Sequence, residues 1–276
     1  MGLFQFLRSG NFFCVLICAT IYLMKNNRAL LISLIVVVAL FICGIIFIPQ
    51  LIKSSNPGDD NGSGSSSSSE LDLSKYNLTS IIPANDDNGG IAEHVKGDAK
   101  TAKVILYEYA DYQCSACALF QSWMKELLKE YDGQLAIVYR SYPLTSLHPN
   151  AIAAASAAEA AGLQGYWEEM GDLLFANQAE WFYATGNKRT NYFVSYFESV
   201  SNGKGDVDQF KSDMASEAVK KKVNFDKAIT ESYNLSATPS FIGPDGKELD
   251  FTEDVEQTKT GILNFMRSYI NARLGK

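Results

Sequence analysis

Residues 103–139, KVILYEYADYQCSACALFQSWMKELLKEYDGQLAIVY, decide the fold. Lys103 to Tyr109 is a short run of β-branched, aromatic and other apolar residues and reads as a strand. Beyond a turn, Leu119, Trp123, Leu127 and Tyr131 recur every four residues, with Phe120, Met124 and Leu128 beside them. That spacing marks an amphipathic helix over 114–131, which Gly133 ends. Leu135 to Tyr139 (LAIVY) is a second strand. The order strand, helix, strand joins parallel neighbours, so the region is α/β.

Toward the C-terminus a long helical stretch follows. Asn150 to Ala161 is alanine-rich, Tyr166 to Asn177 and Thr190 to Val200 are amphipathic, and Val207 to Tyr233 carries further helix. Thr238 and Pro239 then precede a short β-type run, SFIG (240–243), a turn at Pro244-Asp245-Gly246 and KELDF (247–251). A closing helix is expected from about 254 to 273, with Val255, Ile262, Leu263, Met266 and Ile270 on one side.

Toward the N-terminus, Ala29 to Ile48 (ALLISLIVVVALFICGIIFI) holds no charge, and at 1.5 Å per residue it spans a hydrocarbon core of roughly 30 Å. A transmembrane helix is expected over 29–52. Lys25 and Arg28 precede it and only Lys53 follows closely, so the positive-inside tendency puts everything after Ile52 outside the cytoplasm. No small-x-small cleavage site follows the run, which favours a retained anchor, and Cys43 lacks the small preceding residue of a lipid-attachment site. Phe12 to Met24 is apolar but shorter than a span. Either it forms a helical hairpin with the next segment, or translation begins at Met24 with MKNNR as the basic flank, and we favour the later start.

Residues 53–70, KSSNPGDDNGSGSSSSSE, form a Ser/Gly-rich linker with a reach of roughly 25 Å, and residues 71–98 are a lead-in with weak periodicity, interrupted by Pro83. The chain of 276 residues is 47% hydrophobic and 20% charged, a folded composition. It carries 24 basic against 31 acidic residues, and residues beyond 53 alone carry 20 against 31, or -11. A nucleic-acid binder would show a basic stripe, and none is present.

Two of the five cysteines carry the chemistry. Cys114 and Cys117 sit where strand and turn run into a helix, so both sulfurs meet in its first turn. There the unpaired N–H groups and the dipole favour a thiolate on Cys114, the nucleophile, with Cys117 resolving the mixed disulfide. Zinc needs about four ligands, and His94 and His148 are the only histidines and lack finger-like spacing. A purely structural disulfide closing so short a loop would constrain the unfolded chain little. Glu108, in an otherwise apolar strand, can face in or out. Buried beside the thiols, it would have a raised pKa and could relay a proton.

The motifs EYADYQCSAC (108–117), SYPLTSLHPNA (141–151), AAEAAGLQGYWEEMGDLLFANQ (157–178) and ATPSFIG (237–243) occur in the order seen in DsbA-like thiol-disulfide oxidoreductases, and residues 91–276 resemble that family. The resemblance implies a thioredoxin-like fold over 99–276, with an inserted helical domain at about 149–235. It also implies roles for Cys114 and Cys117 as redox pair, Pro239 as a cis-proline lining the substrate groove, Thr238 before it, and Glu108 as the buried acid. Ser-Ala replaces the Pro-His found between the cysteines of strongly oxidising members. Tyr166, Trp167, His148 and the alanine-rich helix match the family and are read as core packing.

The function expected is insertion of disulfides into reduced exported proteins, with no tightly bound cofactor and with reoxidation by a membrane quinone-linked thiol oxidase. The alternatives are a reductase or isomerase using the same pair, and a tethered binding or chaperone module in which the pair is incidental.

Overall fold

A computed structural model of the chain describes residues 71–251 and 255–276. Its sheet has the order β1-β3-β2-β4, formed by β1 (His94–Lys96), β2 (Val104–Ala110), β3 (Leu135–Ser141) and β4 (Ser240–Ile242). β2 and β3 are parallel, Glu108 facing Tyr139, while β1 and β4 run antiparallel at the edges. The crossover between β2 and β3 is α1 (Ser115–Glu130). Between β3 and β4 lie α2 (Ala151–Gly162), α3 (Trp167–Ala176), α4 (Gln178–Trp181), α5 (Gly186–Val200), α6 (Val207–Met214) and α7 (Glu217–Ser232), and α8 (Lys259–Leu274) closes the chain.

Strand alternation sorts β2 between two cores. Val104 and Leu106 pack with Met124 and Leu127 of α1 and Met266 and Ile270 of α8, while Tyr107 and Tyr109 pack with Phe225 and Ile229 of α7 on the opposite face. Glu108 shares the α1 side. A third core, inside the helical insertion, joins the alanines of α2 to Trp181, Phe193 and Phe210, and reaches Tyr112, Cys114 and Cys117. Alanine suits α2 because four other helices, α3, α5, α6 and α7, pack around it and small side chains permit close approach.

Several expectations change at the element boundaries. The stretch Val207–Tyr233 is two helices, because Ser216 leaves the helical backbone region and caps α7 through the amide of Val219. The closing helix begins at Lys259 under the Thr258 cap, not near 254. KELDF (247–251) contributes a single bridge, Glu248 to Ile242. The lead-in supplies β1, whose polar sequence HVK carries no strand pattern. The expected span at 29–52 and linker at 53–70 lie outside the described residues, and among those described no helix is long and apolar enough to cross a membrane.

The lead-in is held by a buried cation. Arg140 of β3, 0% exposed, donates to Glu93 at 2.6 Å, to the Tyr109 hydroxyl at 2.6 Å and to the Leu78 carbonyl at 2.8 Å. Glu93 in turn accepts from the Ile82 amide at 2.8 Å. Arg140→Met should cost about 3–5 kcal/mol in denaturant unfolding of the full chain, since it strands a buried carboxylate. A loss below about 1 kcal/mol, the size of an exposed pair, would contradict this account.

Candidate active site

The site forms where β2 turns into α1. Cys114 is the N-cap residue of α1 in extended conformation, with no side-chain capping hydrogen bond, and Cys117 lies one turn in, so the first-turn amides of Cys117 and Ala116 favour an anion on the Cys114 sulfur. Cys114 is 8% exposed and Cys117 0%, and both are free thiols in this structure. From the far side comes the loop before β4, with a cis peptide bond at Thr238-Pro239. The Cys114 thiol donates to the Thr238 carbonyl at 3.4 Å.

These surroundings split the two sulfurs electrostatically. Cys114 is lowered to about 5, chiefly by the hydrogen bond from the Cys117 thiol, with help from Thr238 and the amides of Cys117 and Ala116, against the cost of burial. Cys117 is pushed well above an ordinary thiol by burial first, then by the charge and hydrogen bonding of Cys114. The Thr238 hydroxyl is buried without a hydrogen-bond partner in the dithiol form, so ionisation of Cys114 gives it an acceptor.

Glu108 is 1% exposed, on the sheet face covered by α1. The solvated alternative for it does not hold. Its Oε2 has no hydrogen-bond partner and lies 3.6 Å from the Lys96 ammonium, which donates to Gln121 at 2.7 Å and sits 5.1 Å from the Tyr139 ring centroid. Burial first, and then the nearby charges of Tyr112, Glu108 and Cys117, push the Tyr139 hydroxyl well above its ordinary value. Gln121 is held in turn by Asp172 of α3 at 2.8 Å.

Side chains that the motif reading passed over fix the loop. Asp111 accepts from the Gln113 and Leu144 amides at 2.8 Å each and bonds His148 at 2.8 Å, so His148 is a polar brace rather than core packing. Gln178 donates to the Tyr112 and Cys114 carbonyls at 2.8 and 2.9 Å, and Gln113 donates to the Phe182 carbonyl at 2.8 Å. Gln113 and Gln178 fall inside the quoted motifs, but amides carry no spacing signal of their own. Lys96 lies in a segment with no readable pattern. Among the described residues no group of three or more His, Cys, Asp or Glu is arranged to hold a metal ion.

Alkylation of Cys114 in the reduced full chain should follow a midpoint near pH 5, with Cys117 protected, and Thr238→Val should raise that midpoint. A midpoint near 9 would contradict the geometry. Because the folded value lies below the unfolded one, the thiolate adds stability that is full above about pH 9 and is lost as pH falls through 5. Unfolding of the reduced form should therefore become harder as pH rises across that window, an effect absent from the Cys114→Ala variant.

Residues 91–262 match the family model described as Thioredoxin. The Na(+)/H(+) antiporter NhaA 1 of Salinispora arenicola is 32% identical over 171 residues, covering 62% of this chain and 24% of that protein. NhaA 3 of Salinispora tropica is 31% identical over 194 residues, covering 70% and 27%. The chain thus spans about a quarter of the length of the curated relatives it matches, and the antiport activity in those names is said of those proteins alone. Among solved structures, BdbD from Bacillus subtilis superposes with a TM-score of 0.56 at 16% identity, covering 71% of this chain and 98% of BdbD. The thiol-disulfide exchange protein alpha-DsbA2 from Wolbachia pipientis gives 0.51 at 16% identity, covering 65% and 86%. The chain belongs to the thioredoxin family, and its fold is shared with BdbD and alpha-DsbA2.

Proposed function

We propose that the chain introduces disulfides into reduced exported proteins from a position tethered outside the cytoplasmic membrane. The observation that carries this reading is the asymmetry of the two sulfurs: an outer one lowered to about 5, an inner one buried and pushed up. A client thiolate attacks Cys114 Sγ of the oxidised pair, forming a mixed disulfide and releasing Cys117, which takes up a proton. A second client thiolate then attacks the client sulfur of that bond, and Cys114 leaves as a thiolate. The client gains a disulfide and the protein holds two electrons and the Cys117 proton. A leaving thiol of low pKa departs fast, and a stabilised reduced form makes the pair oxidising.

Glu108 serves in this scheme as the group that passes the Cys117 proton in and out, with Lys96 as its counter-charge. Thr238 and Pro239 form the wall against which the client's extended backbone lies. Leu147 and Tyr183, 70% and 86% exposed, adjoin the residues that bond Asp111 and Gln113, and give unfolded clients an apolar contact. Reoxidation reverses the exchange: Cys114 attacks the disulfide of a quinone-linked thiol oxidase in the membrane, and Cys117 resolves it. The uncharged run 29–48 and the linker 53–70 support placement beside such a partner.

Oxidised full chain mixed with a reduced, denatured client should yield client disulfides with two protein thiols for each, and Cys114→Ala should abolish this. Cys117→Ala should accumulate a covalent adduct through Cys114 when offered a disulfide-bonded client. Client oxidation that survives Cys114→Ala would remove the pair from the reaction. Glu108→Gln should slow resolution by Cys117 about 100-fold, the lower end of general acid–base effects, and flatten its pH profile. An unchanged profile would take Glu108 out of the scheme.

A further inference from the structure

The helical insertion encloses a second feature that the disulfide chemistry does not use. A cavity of about 540 Å³ opens between α2, α5 and α6, floored by Ile152, Ala153, Phe193 and Met214. This volume falls in the range of small-molecule sites. The charged residues around it are all cations, Arg189, Lys211 and Lys220, with no carboxylate in the lining.

Arg189 donates to the Asn150 side chain at 2.8 Å and has no carboxylate partner among the described residues. Lys211 and Lys220 pair with Asp208 and Glu217 of their own helices at 3.5 and 3.3 Å, but those pairs are exposed and hold the ammonium groups weakly. Ser156 of α2 also lines the cavity. It is only 7% exposed, and its hydroxyl has no hydrogen-bond partner among the described residues. That hydroxyl oxygen is not sealed from solvent, so it can exchange water for a ligand oxygen.

We propose that this cavity binds a small amphiphilic anion, a carboxylate on an acyl or similar apolar body, the head meeting Arg189 and Ser156 and the body lying on Ile152, Phe193 and Met214. A client peptide fits less well. The walls are helices whose backbone groups are paired internally, so they offer an extended peptide no edge to bond.

The test uses the full chain labelled with ¹³C at the methionine methyls and titrated with decanoate below its micellar concentration. The Met214 signal should shift saturably while those of Met124 and Met266, in the sheet core, stay fixed and report an intact fold. Decanol and decyltrimethylammonium should fail to saturate it. Arg189→Met should weaken decanoate about tenfold, the scale of one charge-assisted hydrogen bond. Ala153→Phe, which fills the cavity without touching a charge, should abolish the shift. Equal response to the neutral or cationic probes, no response at Met214, or a shift produced by an acidic apolar peptide but not by decanoate would each overturn the proposal.

Discussion

The Cys117 thiol donates to the Cys114 sulfur, and Thr238 and the first-turn amides of α1, which have no partner inside the helix, add to it. Much of what the site does depends on that set of donors, which the anionic sulfur can accept from and the protonated one cannot. The inner sulfur, buried against the insertion core, has no comparable support and keeps its proton. In the proposed function, a disulfide between two such sulfurs gives way to a state that the protein already favours, and the driving force is electrostatic and resides in the reduced form.

For this to work the donors must stay aimed when a client arrives, and the polar braces supply that constraint. Asp111 ties the turn to the segment after β3 through Leu144 and His148. Gln113 and Gln178 tie it to the insertion. Asn150, at the start of α2, joins the two sets, donating its amide to Gln113 and its side chain to the Trp181, Phe182 and Ala184 carbonyls. The insertion is therefore part of the scaffold that orients the redox turn, and it does not merely cover it. Glu108, Lys96, Gln121 and Asp172 make a second link, from β2 through β1 and α1 to α3.

What could be read from the sequence follows from which forces leave periodic traces. The β2–α1–β3 unit was legible because burial imposes alternation on strands and four-residue spacing on α1, and Cys114 and Cys117 stood out because their placement at a helix start has chemical meaning. Lys96 left no such trace: its burial is balanced by Gln121, Glu108 and two aromatic rings that lie far away in the chain, and β1 is too short to show a pattern. The break between α6 and α7 depends on one serine cap. Likewise His148 looked like packing because its partner, Asp111, is thirty-seven residues away. Local periodicity reports elements, and long-range polar pairing, which builds most of this site, is invisible to it.

The central claim is that the reduced pair is the stabilised state. The most direct measurement is the reduction potential of the Cys114–Cys117 couple in the full chain, equilibrated against glutathione. The account predicts a value well above thioredoxin's roughly -270 mV, toward the range of dedicated oxidants near -120 mV. A value at or below that of thioredoxin would contradict it.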